Sequence, residues 1–134
     1  MTVAFANPET MPRRTGYSQI CEVTRGKLIL IAGQVPHDTS DKLVGENDFA
    51  AQVEQVFKNL DAALKAAGGS MHNLVKINNY CVASVTPEQR TAFQKTRDRY
   101  VNTASPPVST FIFVSRLAQP GWLFEMDAMA VIDA

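Results

Sequence analysis

The carboxylates of Glu125 and Asp127 are the most informative chemical groups in this sequence. They stand two residues apart in Leu123-Phe124-Glu125-Met126-Asp127-Ala128-Met129-Ala130, so in a strand both side chains leave the same face. The opposite face would carry Phe124, Met126, Ala128 and Ala130, which is too apolar for an ordinary edge strand. A carboxylate in a partly dry cleft has a raised pKa and can pass protons. The plainer reading is a solvated charge near a strand end, or one held in a structural salt bridge with Arg116. Tyr17, in Gly16-Tyr17-Ser18-Gln19, carries a similar pair of readings: an amphipathic packing residue at a strand start, or a hydroxyl lining a pocket.

Other chemistries find little support. His37 and His72 are the two histidines; both fall in expected loops, without the His-x-x-x-His or Cys-x-x-Cys spacing that metal sites use. No metal is expected. Neither a Gly-x-Gly-x-x-Gly run nor a P-loop is present, and Gly68-Gly69 follows a helix, the wrong side for cradling phosphate. Nothing supports a nucleophilic Cys-His or Ser-His-Asp site, since Cys81 falls mid-strand and reads as a small buried hydrophobe. Cys21 and Cys81 do not suggest a disulfide framework.

Bulk composition narrows the class further. With 134 residues, 46% hydrophobic and 19% charged, the chain is expected to form one globular domain, residues 1–134. Lys plus Arg equals Asp plus Glu, 13 each, leaving no basic excess of the kind nucleic-acid binders carry. Residues 1–12 lack a basic start followed by an apolar run, and no stretch reaches the ~18 apolar residues of a membrane span. A cytoplasmic protein with neither membrane nor nucleic-acid partners is the default expectation.

The elements that must position these groups are legible from periodicity. Tyr17 to Val23 and Lys27 to Ala32 read as strands joined by a turn at Thr24-Arg25-Gly26. Before them lies a loose arm around Asn7-Pro8 and Met11 to Arg14, with room for a short extra strand near the start. Pro36 ends the second strand. Asp48 to Ala67 reads as a helix, with Phe49, Val53, Phe57, Leu60, Leu64 and Ala67 on one stripe. Gln52, Gln55, Lys58, Asn59 and Lys65 are placed on the other face, and Gly68-Gly69 supplies the stop. Leu74 to Val82 is a strand. Thr86 as N-cap and Pro87 at the first helical position open a second helix, with Phe93, Thr96 and Tyr100 inward and Arg90, Lys95, Asp98 and Arg99 solvated. Val108 to Val114 and Leu123 to Ile132 close the chain as strands.

The resulting order is β-β-α-β-α-β-β, an α+β fold, and it leaves one face of the sheet uncovered. Two helices cover a single face, yet Phe111 and Phe113 alternate with Thr110, Ile112 and Val114, so both faces are largely apolar. An exposed patch of several hundred Å2 is uncommon on a monomer. Self-association through the open face is the economical expectation.

Several motifs resemble those of the Rid family (reactive intermediate deaminase, or YjgF). They are Gly16-Tyr17-Ser18-Gln19, Ile31-Ala32-Gly33-Gln34-Val35-Pro36, the helix from Gln52 to Gly68, Leu74-Val75-Lys76, Pro107-Val108-Ser109-Thr110, Val114-Ser115-Arg116-Leu117 and Glu125-Met126-Asp127-Ala128. The resemblance implies a chorismate-mutase-like fold, one mixed sheet with two helices on one face, and a homotrimer closing a central β-barrel with ligand clefts between subunits. It also implies hydrolysis of reactive enamines and imines to 2-oxo acids and ammonia, without cofactor or metal. Glu125 maps onto the glutamate that places or activates water, and Tyr17 onto the family's tyrosine. Backbone at Ala32 and Gly33 would line the cleft, beside Ser109 and Thr110.

The departures matter as much as the matches. Ser109 stands where such enzymes carry the arginine that grips the substrate carboxylate, Ala32 replaces a serine, and Gly16 replaces a proline. Arg97 and Arg14 are the candidates for a substitute cation; read plainly, both are solvated surface charges. The expected function is therefore deamination of an enamine, imine or related small metabolite through Glu125 and water, weak on 2-aminoacrylate. The alternative is a trimer that binds a small metabolite as sensor or scavenger without turnover. An endoribonuclease or translation-inhibitor role comes third.

Overall fold

The room for an extra strand near the start is filled. In the computed structural model, which describes residues 1–13 and 15–134, β1 (Thr2–Ala6) pairs antiparallel with β2 (Ile20–Arg25) as a two-stranded ribbon. Half-buried Val3 and Phe5 alternate with exposed Thr2, Ala4 and Ala6, the period-two signature of a strand with one covered face. The second ribbon strand begins at Ile20, not at Tyr17. Gly16 has φ +87°, outside the extended region, and Ser18 bridges to Val108 instead of joining the ribbon.

The main sheet has the order β3-β6-β4-β5, formed by β3 (Lys27–Gln34), β6 (Phe124–Ile132), β4 (Leu74–Val82) and β5 (Val108–Val114). It is mixed: β3–β6 and β6–β4 are antiparallel and β4–β5 is parallel. A parallel neighbour requires a crossover, and α2 (Pro87–Tyr100) provides it. Thr86 and Gln89 cap α2 reciprocally, each side chain bonding the other's backbone N–H. The first helix, α1 (Phe49–Ala66), starts where Asp48 accepts from the Ala51 N–H.

Both helices cover one face of this sheet. Val53, Val56, Phe57, Leu60 and Leu64 of α1 are fully buried, as are Ile77, Cys81, Phe124 and Met126 beneath them. Each such side chain stabilises the fold by roughly 1.5–3 kcal/mol through burial. Phe57 stacks on Tyr100 at 5.2 Å between ring centroids and tilts against Phe93 at 6.1 Å, which ties α2 to α1.

One expectation about α1 is corrected. Gln52, assigned to the solvated side, is fully buried. Its Nε2 donates to the carbonyls of Gly45 and Gly121, at 3.0 and 2.9 Å, and its Oε1 accepts from the Leu123 N–H at 2.7 Å. A buried amide is tolerated because each of these groups is paired. Asn59 acts similarly, donating to the carbonyls of Val35 and His37. What reads as a polar helix face is a clamp on the loops after β3 and before β6.

The other sheet face is open. Leu30 is 68% exposed, Leu28 58% and Ile112 43%. Among the described residues no helix is long and apolar enough to cross a membrane.

Candidate functional site

Ser18 anchors one wall of a cleft from behind. Its N–H donates to the Pro107 carbonyl at 3.2 Å and its hydroxyl to the Pro106 carbonyl at 2.6 Å. These bonds hold Tyr17 against the start of β5, where Ser109 lies. Opposite, α2 presents Arg90, Phe93, Gln94 and Arg97, which at spacings i, i+3, i+4 and i+7 form one helical stripe. Together with Thr15 and Phe111 these residues line a cleft of about 250 Å3. Phe93 and Phe111 meet edge to face at 5.0 Å.

Arg97 is not the solvated charge expected of it. Its side chain is only 11% exposed, lying beneath the backbone of Gly16, where a Cβ would come 2.6 Å from the guanidinium carbon. Positive φ selects glycine at position 16, and a methyl there would displace the guanidinium. Arg97 donates through Nε to Asp98 at 2.9 Å, and its two Nη groups have no partner among the described residues. Arg90 was also expected in solvent. It is half-buried, with its guanidinium 4.5 Å above the Phe111 ring, and its buried Nε has no hydrogen-bond partner. The other proposed substitute, Arg14, lies outside the described residues.

Ser109 takes part through its hydroxyl. Its Oγ accepts from Asn79 Nδ2 at 3.0 Å, which leaves the Ser109 O–H free to donate. Asn79 is 1% exposed, and its Oδ1 is unpartnered. Among the described residues the cleft is lined by no carboxylate. Its charged groups are both cationic, so its chemistry is that of an anion receptor.

Glu125 stands elsewhere. Residues of β6 alternate, and Glu125 and Asp127 project from the open face while Phe124, Met126 and Ala128 are buried beneath the helices. Asp127 accepts from Asn78 Nδ2 at 2.8 Å and from the Tyr80 hydroxyl at 2.7 Å. Burial first, and then the Asp127 charge, push the Glu125 carboxyl above its ordinary value. The salt bridge considered with Arg116 is absent: Arg116 turns back on its own loop and donates to the carbonyls of Leu117 and Ala118. The pairing of β3 with β6 is irregular between Ile31 and Gln34, which sets Ala32 and Gly33 apart from the regular ladder. Glu125 occupies this place so closely that a Cβ on Gly33 would collide with Oε1 and lie 3.1 Å from Cδ.

The sequence-derived site residues thus fall into two groups within one protomer. Tyr17, Ser109 and Arg97 meet in the cleft on the helix side. Glu125, Gly33 and Ala32 meet at the open face, where Thr110 is also exposed beside Asn78. The sheet separates them because adjacent strand residues face opposite ways. Arg90, Gln94 and Thr15 are cleft residues that sequence reasoning missed. The signal was present in α2, where Arg90 and Arg97 bracket the inward Phe93 at helical spacing.

Among the described residues no group of three or more His, Cys, Asp and Glu side chains could hold a metal ion. His37 is engaged in the loop: its Nε2 accepts from Trp122 Nε1 at 2.9 Å, and its Nδ1 lies 2.9 Å from Asp41 Oδ1. Cys81 is fully buried, and burial pushes its thiol up to about 11.

The chain belongs to the family described as Endoribonuclease L-PSP, whose model matches residues 8–132. The Rid/YjgF resemblance of the motifs is the same membership. The protein DfrA of Myxococcus xanthus is 34% identical over 122 residues, covering 90% of this chain and 88% of its own. A RutC family protein of Pyrococcus abyssi is 32% identical over 125 residues, 91% of either chain. The crystal structure of a Rid-family protein of unknown function from Yersinia pestis superposes with a TM-score of 0.87 at 32% identity, covering 98% of this chain and 100% of that one.

Proposed function

We propose that this chain hydrolyses a small carboxylate-bearing imine or enamine to the 2-oxo acid and ammonia, with the carboxylate held by Arg97 in the Tyr17–Ser109 cleft. The carrying observation is the cleft's composition: two guanidinium groups, free hydroxyl donors and no lining carboxylate among the described residues. The gripping role that the family gives to an arginine at position 109 moves to α2. There Arg97 is oriented by Asp98 and by the backbone of Gly16.

In the reaction the water oxygen adds to the imine carbon, and Glu125 accepts the water proton. That proton passes to nitrogen; the carbinolamine hydroxyl then gives up its own proton, which Glu125 relays to the same nitrogen as the C–N bond breaks, so ammonia leaves and the carbonyl remains. An enamine first takes a proton at carbon to become the imine. A carboxylate with a raised pKa is suited to this traffic. Because Glu125 and the cleft open on opposite faces of one sheet, the reading requires Glu125 from a neighbouring protomer, brought to the edge strand β5 where Ser109 lies.

Ammonia release, coupled to a dehydratase that supplies 2-aminoacrylate or 2-iminobutanoate, tests the proposal. Arg97→Gln should raise KM or lower kcat/KM at least about tenfold, since a charge-assisted bond contributes roughly 1.5–3 kcal/mol. The separation of Glu125 from the cleft within a protomer favours one second reading, binding without turnover. It predicts a thermal shift with 2-oxo acids and no ammonia. A ribonuclease role is third: the net charge is zero, and RNA binding draws on a basic excess.

A further inference from the structure

We infer that the cleft takes a substrate with two anionic ends, a short dicarboxylate, with Arg90 as the receptor for the second carboxylate. This rests on the reading of Arg97 as the grip for the first.

One arginine suffices for a monocarboxylate, yet the stripe carries two. Arg90 and Arg97 are seven residues apart on one helix face, roughly 10 Å along the axis. With each guanidinium seated over its own ring, Arg90 over Phe111 and Arg97 over Phe93, the two present separate anchoring points. The two groups bracket Phe93 and Phe111; Arg90 lies 4.5 Å over the Phe111 ring and Arg97 5.7 Å over the Phe93 ring. The lining therefore has a cation at each end and an aromatic stretch between, the pattern of a short carbon chain with a charge at each terminus. Its volume, about 250 Å3, lies below the usual range for drug-sized ligands and suits a small metabolite.

Arg90 itself points to a missing partner. Its side chain makes no hydrogen bond or ion pair with any described residue. The Nε donor is buried, and a buried charged donor without an acceptor is costly. A structural arginine would be expected to find a carboxylate or carbonyl, as Arg99 does at Glu54 and Arg116 at Leu117. An anion entering beside Ser109 and Gln94 would pair with the Nη groups of this guanidinium, while the Nε itself stays closed to solvent.

Matched probes test this: 2-oxoglutarate against 2-oxopentanoate, which differ in whether the far end is a carboxylate or a methyl. Their affinities would be measured by calorimetry on the full chain. The wild type should prefer 2-oxoglutarate on the order of tenfold or more. Arg90→Gln should erase that preference by weakening 2-oxoglutarate far more than 2-oxopentanoate. Arg90→Lys should keep most of it, with melting temperatures showing that both variants fold. Equal affinity of the wild type for both acids overturns the inference while leaving Arg97 as the grip. A preference that survives Arg90→Gln overturns it too. Binding of neither acid would bring down the cleft reading as a whole.

Discussion

The backbone of Gly16 lies against the guanidinium of Arg97, with the position a Cβ would take only 2.6 Å from Cζ. The contact couples a loop before the first ribbon return to the inner stripe of α2. It also explains why an arginine stays in place at the cleft with one exposed carboxylate, Asp98, as its side-chain partner.

Gly16→Ala should therefore impair binding beyond its effect on stability. Alanine at φ +87° costs about 1 kcal/mol of backbone strain, and its methyl must displace Arg97. Gly68 provides the control. Its φ is +88°, but its nearest neighbour to an added Cβ is 4.0 Å away. Both variants should lose similar melting temperature from strain, and only Gly16→Ala should weaken 2-oxopentanoate. Equal binding by the two would show that Arg97 does not hold the carboxylate.

Glu125→Gln should abolish ammonia release without destabilising the fold at neutral pH. The carboxyl is held above its ordinary 4.5, so the folded state binds this proton more tightly than the unfolded chain. Ionisation then works against folding at pH above the raised value, and this penalty vanishes below 4.5. The variant should match the wild type in acid and equal or exceed it at neutral pH. The acid limb of wild-type turnover should likewise lie above 4.5. A melting loss at neutral pH, in step with lost activity, would mark Glu125 as structural.

Assembly can be tested separately from chemistry. Sedimentation should give three protomers of 14.7 kDa, and Leu30→Glu should dissociate them. Leu30 is 68% exposed in the single chain, so the substitution has little to disturb there except an interface. A wild-type monomer stable at micromolar concentration would remove both the trimer and the shared site.

The helices and the sheet strands were legible because their periods are strong and their caps are local. Asp48, Thr86, Pro87 and Gly68 each act within a few residues. The burial of Gln52 was not legible, since it depends on carbonyls at Gly45 and Gly121 that approach only in the fold. Arg97 shares the spacing of the inward Phe93, but no local pattern says that Gly16 closes over its guanidinium. Periodicity does place Glu125 with Asp127, but it cannot say that Tyr17 and Ser109 open on the other side of the sheet.

Gln52→Leu offers a measure of that hidden clamp. It leaves the Gly121 carbonyl and the Leu123 N–H without the side-chain partner, and removes one of two donors from the Gly45 carbonyl, which keeps the Asp48 N–H. A loss of about 2–4 kcal/mol in denaturant unfolding is expected, since each orphaned buried group costs roughly 1–3 kcal/mol, less whatever water recovers. A change within ~0.5 kcal/mol would mean that the loops before α1 and β6 do not depend on it.

Ser109→Arg asks whether the family's arrangement and this chain's are interchangeable. In the wild-type background it brings a third guanidinium into a cleft that already holds two and removes one of the two acceptors of Asn79 Nδ2, leaving the Thr110 carbonyl. Like charges in so small a space should limit any gain on 2-aminoacrylate. In the Arg97→Gln background the same substitution restores the cation count and supplies a grip on β5. The double variant should then recover most of the roughly tenfold or greater loss in kcat/KM caused by Arg97→Gln. Rescue in the double variant, with little gain in the single one, would show that the two arginines serve one role from different elements. If Ser109→Arg raises turnover strongly while Arg97 is intact, the carboxylate has no effective grip in the wild type. Should both variants and the wild type release no ammonia although the wild type binds 2-oxo acids, the chain binds such anions without hydrolysing their imines.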